Sequence, residues 1–250
     1  MKLKTFIFLL LFLPSVIYAG ERNNISFSIS PYLNGGVIGV KNFAYSTLAY
    51  NGPLAGASLS LTANSSKFDS FIDTSYSIGW LGNRYHRDPA SMLNSQFDLS
   101  VGGMTGLFCN SIVFVKAGGA LGFMQNAYYN GPLSRVHNTF ALDAKLCLSA
   151  QLMLQKRIFV LIEERIPFVS SFWAFDKYKD NVPTITPDHS WKAFPGNSLK
   201  VGIGHTLKDG NDLLLVLRHY CFSTGYTLPN RFQVQLLELG IAFRFGLTKH

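Results

Sequence analysis

The segment Arg218-His219-Tyr220-Cys221-Phe222-Ser223 is the part of the chain best equipped for chemistry. His219, Cys221 and Ser223 are spaced by two, so an extended strand puts all three on one face. An imidazole beside a thiol or a hydroxyl pairs a general base with a nucleophile, and such a pair works when a third group orients the base. The same spacing also suits a strand end at a membrane boundary, where Tyr and His sit comfortably. His86, between Arg84 and Asp88, reads as an ordinary surface cluster. The six His are scattered and the three Cys lack ligand spacing, so no metal is expected. No phosphate loop, nucleotide fingerprint or paired-carboxylate signature is present, so no cofactor is expected either.

Those residues need an element to hold them, and composition limits the choice. Charged residues make up 14% of the 250 and aromatics another 14%, with 22 Gly and a positive mean hydropathy. Soluble domains carry roughly 25% charged residues. A disordered chain, a coiled coil and an ordinary cytosolic enzyme are all excluded. Lys2 and Lys4 precede an apolar run over 6–17, and Ala19 follows as a small residue for cleavage. This is the pattern of an export signal over residues 1–19, with 20–250 as a single domain. The run is shorter than the roughly 20 residues of a spanning helix, and no later run reaches that length. Without Lys2 and Lys4 the remaining 20 basic and 14 acidic residues leave a charge of +6. That balance points to a membrane surface as partner, with no nucleic acid. A chain of membrane composition without a membrane helix has one common solution, a closed β-barrel.

Alternation supports it. Phe140, Leu142, Ala144, Leu146, Leu148, Ala150, Leu152 and Leu154 alternate with Asp143, Lys145, Cys147, Ser149 and Gln151. Period two sends the sets to opposite faces of one strand. The pattern predicts ten strands, over 24–33, 53–63, 69–81, 95–104, 111–123, 138–154, 157–166, 198–205, 212–222 and 233–245. The intervals between them alternate long and short, as outer loops and inner turns do in such barrels. Eight to twelve strands fit; ten is the count the pattern favours. In the last strand Leu237, Leu239, Ile241, Phe243 and Phe245 alternate up to a near-terminal aromatic.

Here the chain resembles bacterial outer-membrane β-barrel proteins of the small, non-porin kind. The resemblance implies an all-β, transmembrane, antiparallel up-and-down barrel in the outer membrane. Its implied partners are outer-membrane lipids, lipopolysaccharide and the barrel assembly machinery. This chain departs from the family's pattern by adding Gly246-Leu247-Thr248-Lys249-His250 after the aromatic.

Alternation assigns Lys116, Lys145, Arg157, Arg165, Lys200, Arg218 and Arg244 to the lumen. Asp73, Asp98, Asp143, Glu163 and Glu238 face them there. A lumen of eight to ten strands is filled by side chains, so a plugged interior is expected, with a narrow channel as the rival. The loops are expected to carry Lys41, Arg84, His86, Arg87, Arg135, Lys177, Lys179, Lys192 and Arg231. Only Asp88, Asp176, Asp180 and Asp188 offset them, an arrangement suited to lipopolysaccharide phosphates or to plain solvation. The aromatics Phe172, Trp173, Phe175, Tyr178 and Trp191 read as an interfacial or loop-packing cluster. Cys109 falls in a turn, Cys147 in mid-strand facing the lumen and Cys221 near the outer rim. A bridge needs Cα atoms within about 7 Å, so none is expected between Cys109 and Cys221.

The penultimate strand also resembles that of outer-membrane lipid A 3-O-deacylases. In those, a His and a Ser two residues on sit on the barrel exterior, followed by Pro-Asn and a Glu that orients the His. His219-Tyr220 and Pro229-Asn230 match, whereas Cys221 stands at the Ser position and Phe222 at an Asn. Ser223, two positions beyond Cys221, takes the nucleophile's place only with an insertion. The orienting acid falls on Gln233 or Val234. The resemblance implies a lipid A acyl hydrolase using His219 with Ser223 or Cys221; the residues themselves favour a structural or surface-interaction barrel, with that hydrolase as the alternative.

Overall fold

The computed structural model describes residues 25–42, 49–65, 68–82, 92–130, 135–178, 188–223 and 232–247. The expected export signal over 1–19 lies outside the described residues, as do Arg84, His86, Arg87, Asp88, Lys179, Asp180 and Arg231. The strands are β1 (Ser26–Asn42), β2 (Ala49–Asn64), β3 (Phe68–Leu81), β4 (Met92–Cys109), β5 (Val113–Asn130) and β6 (Arg135–Gln155). They continue with β7 (Ile158–Tyr178), β8 (Asp188–Ala193), β9 (Gly196–Thr206), β10 (Asp212–Ser223) and β11 (Phe232–Gly246).

Apart from β8 and β9, consecutive strands pair antiparallel, β1 pairs with β11, and so the sheet closes on itself. β8 and β9 are one strand of the barrel, interrupted at Phe194 and Pro195, and both pair with β7. Ten strands therefore ring the lumen. Closure leaves no unpaired edge, the condition for strands to sit in lipid.

The two faces follow from sequence. In β10, Leu213, Leu215 and Leu217 stand exposed on the outer wall, while Leu214, Val216 and Tyr220 are buried toward the lumen. In β11, Leu237, Leu239, Ile241 and Phe243 point out and Val234, Leu236 and Glu238 point in. On β4, β5 and β6 the outer wall carries Phe97, Phe123 and Phe140, with successive ring centroids 6.3 and 6.2 Å apart. Short turns close one end. In one of them Leu207 N donates to Asn211 O at 2.7 Å, and Gly210 takes the left-handed φ of 83° that it tolerates best. Asp209 accepts from the backbone and side chain of Asn211, which holds its carboxyl below the usual carboxylate range.

Several expectations need correction. The strands run well past their expected ends: β1 reaches Asn42, β5 reaches Asn130, and β7 reaches Tyr178. Lys41, Arg135, Lys177 and Lys192 thus belong to strands, as do Asp176 and Asp188, and β8 occupies part of what read as a long loop. Arg157 lies exposed in the turn between β6 and β7 and does not face the lumen. Cys109 closes β4 instead of lying in a turn. The physical reason is the same in most of these: where a strand's two faces are both apolar, or rich in Gly, period two disappears from the sequence.

β7 adds a second reason. Ala144 pairs with Val169 and Lys145 with Pro167, so Phe168 is an extra, unpaired residue. Such a bulge changes which residues face which side. Glu163 and Arg165 face the lumen below it, Ser170 and Phe172 above it. Opposite the bulge, Phe194 has φ 49° and its N–H reaches Phe168 O at 3.4 Å.

Candidate functional site

The lumen is built in layers. At the loop end, Ile38, Val40, Tyr50, Leu54, Leu81, Met124, Tyr128, Phe172, Tyr220, Phe222 and Leu236 form one buried cluster spanning the barrel. Tyr220 Oη donates to Met124 Sδ at 3.1 Å, joining β10 to β5 across the interior. Phe172 and Phe222 meet edge to face at 5.3 Å, and Tyr50 and Tyr128 lie 6.2 Å apart. This cluster is apolar, where a polar interior was expected, but the same end also buries Asn94, Gln96, Asn126, Thr139 and Ser170, with Asn94 Nδ2 donating to Asn126 Oδ1 at 2.9 Å.

Below it the charges pair. Lys145 Nζ lies 3.4 Å from both Asp98 and Asp143 and donates to Ser100 Oγ at 2.9 Å. Gly122 is what admits that ammonium: a Cβ there would stand 2.5 Å from Nζ. Arg165 spans the lumen from β7 to Asp73 on β3. Arg218 meets Glu238 at 3.4 Å and Lys200 meets Glu163 at 3.2 Å. Toward the turns, Lys116 pairs with Asp69, and Arg244 with Asp212 at 3.2 Å. Every lumen charge read from the sequence except Arg157 has an opposite partner. Asp69 and Asp212, missed there, bring the pairs to six cations and seven carboxylates. A polar cavity of about 390 Å³ remains at the turn end and one of about 90 Å³ among the mid-lumen pairs.

The outer face of β10 carries the other candidate group. His219 is exposed, flanked across the strands by Leu199 and Leu237. No hydrogen bond joins it to Cys221 or Ser223 among the described residues. Cys221 Sγ donates instead to Asn197 Oδ1 at 2.9 Å, and Asn197 Nδ2 donates to Glu164 Oε1 at 3.3 Å. Lys192 Nζ donates to both Ser223 Oγ and Ser223 O at 3.1 Å. Of the positions where an orienting acid was sought, Gln233 lies opposite Ser223 and Val234 is buried in the lumen; Pro229-Asn230 lie outside the described residues. Asn197 and Glu164 went unnoticed in the sequence. Glu163-Glu164-Arg165 is an unbroken charged run; alternation sends its middle member outward, and strand pairing supplies its neighbours Leu148 and Leu199. Among the described residues no cluster of His, Cys, Asp and Glu could hold a metal ion. All three cysteines are free: Cys109 exposed, Cys147 buried and Cys221 half-buried.

A closed ten-stranded barrel with an apolar outer wall and a packed interior is a transmembrane β-barrel of the outer-membrane kind, small and without a porin's open lumen. No protein-family model matches the chain, and no curated protein matches it in sequence. Solved structures of similar shape include Neisserial surface protein A, at 9% identity and a TM-score of 0.39, covering 89% of this chain and 99% of that one. The β domain of the Bordetella autotransporter BrkA gives 11% and 0.43, covering 88% and 99%. Ail of Yersinia pestis gives 10% and 0.30, covering 90% and 100%. Values this low transfer no activity and no site.

Proposed function

We propose that the protein is a non-conducting barrel of the bacterial outer membrane that acts through its surfaces, as a structural or surface-interacting component in contact with phospholipid and lipopolysaccharide. The assembly machinery for such barrels is its other partner. One observation carries this reading: the loop end of the lumen is filled by the cluster around Tyr50, Tyr128, Phe172, Tyr220 and Phe222. Ion pairs fill much of what lies below. A path for small ions would have to displace both. Planar-bilayer recording tests it. The refolded protein is expected to give no current steps at moderate voltage, and stable ohmic steps would establish the narrow channel instead.

A second reading, a lipid A acyl hydrolase, draws on the shared outer face of His219 and Cys221 at the end of β10 nearest the loops. It requires the imidazole to reach a nucleophile that is bonded elsewhere: Cys221 to Asn197, Ser223 to Lys192. Mass spectrometry of lipid A from cells with and without the protein separates the readings. A lost acyl chain that returns in His219→Ala cells would favour the hydrolase; unchanged lipid A is the outcome expected of the surface barrel.

A further inference from the structure

The turn end of the lumen is not filled. A cavity of about 390 Å³ remains there, within the roughly 300–1,000 Å³ of small-molecule sites. Its wall has two characters, set by the strands that supply it. β1 and β2 contribute Ser28, Ser30, Ser60 and Thr62, and β6, across the ring from β1, contributes Ser149 and Gln151. β7, β10 and β11 contribute Leu161, Leu214, Val216 and Ala242, all members of one buried apolar cluster. A hydroxyl-rich edge and an apolar face thus enclose the same space.

The charges at this wall cancel. Lys116, Arg165, Lys200 and Arg244 are each met by a carboxylate, from Asp69, Asp73, Glu163 and Asp212 in turn. In three of the pairs the cation is the more open member. The side chains of Lys116, Lys200 and Arg244 are 34, 34 and 33% exposed, those of Asp69, Glu163 and Asp212 only 7, 21 and 14%. An ammonium has three donors and a guanidinium five, yet each of these three cations bonds one acceptor among the described residues. The hydroxyls of Ser28, Ser30, Thr62 and Ser149 have no partner among the described residues, and each can both donate and accept. Asp69, buried at the same wall, has an oxygen, Oδ1, that is also without a partner. Unspent hydrogen-bonding capacity of this extent inside a barrel calls for an occupant.

We propose that the cavity binds a neutral pyranose sugar, a mono- or disaccharide that enters from the turn end. The aromatic cluster fills the other end, and short turns face the periplasm in barrels of this kind. Paired charges select a neutral ligand. An added anion would meet Asp69, Asp73 and Glu163 beside cations already compensated, and an added cation would meet the exposed ends of Lys116, Lys200 and Arg244. The hydroxyl and cation donors call for a ligand that donates and accepts around its rim. A pyranose ring does both, and its C–H faces are apolar. Its rim meets Ser28, Ser30, Thr62, Ser149 and the free donors of Lys116 and Lys200, while one face lies on Leu161, Leu214, Val216 and Ala242. This role goes beyond the surface function proposed above and does not depend on it.

The test uses the whole barrel, purified in lauryldimethylamine oxide, because glucoside and maltoside detergents would compete for the site. Glucose, N-acetylglucosamine and maltose are titrated separately, with binding read by saturation-transfer difference NMR and calorimetry. At least one of the three is expected to bind saturably, with a Kd in the millimolar range or below. Ser149→Leu and Ser30→Leu fill the cavity from opposite walls and leave every ion pair in place; each is expected to weaken that binding at least tenfold. Heat-modifiable mobility on gels reports folding, and either variant suffices if the other does not fold. No saturable binding of any of the three sugars would mean that the cavity holds water alone, and would overturn the proposal. Unchanged affinity in a folded variant would place the sugar elsewhere and overturn it equally. A native barrel that conducts and still binds the sugar would contradict the proposed function and leave this site standing.

Discussion

Lys145 shows how much rests on single residues in the lumen. It is 6% exposed, and its ammonium is shared by Asp98, Asp143 and Ser100. Removing one member of a buried ion pair leaves an uncompensated charge, at a cost of about 3–5 kcal/mol. Lys145→Met is therefore expected to destabilise the barrel by about that much in urea titration from liposomes, and the added changes Asp98→Asn and Asp143→Asn to restore much of the loss. The cysteines give a simpler readout. A membrane-impermeant maleimide should label Cys109 in the folded protein and leave Cys147 untouched until denaturation, since one is exposed and the other 1% exposed. Labelling of Cys147 in the folded barrel would contradict the lumen packing. At this scale the sequence was a good guide to faces and a poor one to partners. That His219, Cys221 and Ser223 share a face is arithmetic; that Cys221 bonds Asn197, more than twenty positions away, depends on the register of β9 against β10.

Strands were legible where their two faces differ in polarity and not elsewhere. In β6, Leu142, Leu146 and Leu148 oppose Asp143, Lys145 and Cys147, and the strand is plain. In β1, Asn34-Gly35-Gly36-Val37-Ile38-Gly39-Val40 has apolar or Gly residues on both sides, because Ile38 and Val40 enter the plug while Val37 faces lipid. The plug escaped the sequence for that reason: its members lie in strand ends that do not alternate. The bulge at Phe168 did the same to β7 by switching the inward set in mid-strand. Pairing between strands is also tight. Gly204 of β9 lies opposite Phe159 of β7, and a Cβ there would come within 2.2 Å of the ring. Phe159 is 1% exposed and cannot swing away. Gly204→Ala should cost about 1–3 kcal/mol by overpacking, measured by the same urea titration, and an unchanged midpoint would show that the ring has room.

The whole molecule is a wall with two surfaces doing different things. Its lumen holds a mainly apolar cluster at the loop end and ion pairs below, and this is why conduction is not expected. Truncating two facing aromatics of the plug, Phe172→Ala with Phe222→Ala, should make a silent barrel leak in bilayer recordings if the plug is the barrier. Its exterior is largely apolar, and on β7, β9, β10 and β11 Glu164, Asn197, Cys221, His219, His205 and Gln235 interrupt it. Both surfaces have these roles only if the strands cross a bilayer with Leu213, Leu215 and Leu217 toward lipid. Spin labels placed singly at 213 through 217 of β10, in the protein reconstituted in liposomes, test this directly. Labels at 213, 215 and 217 should be accessible to oxygen dissolved in the lipid and shielded from a water-soluble nickel chelate, while those at 214 and 216 are shielded from oxygen. Uniform access of all five to the chelate would mean that β10 does not line a membrane, and the account would fail with it.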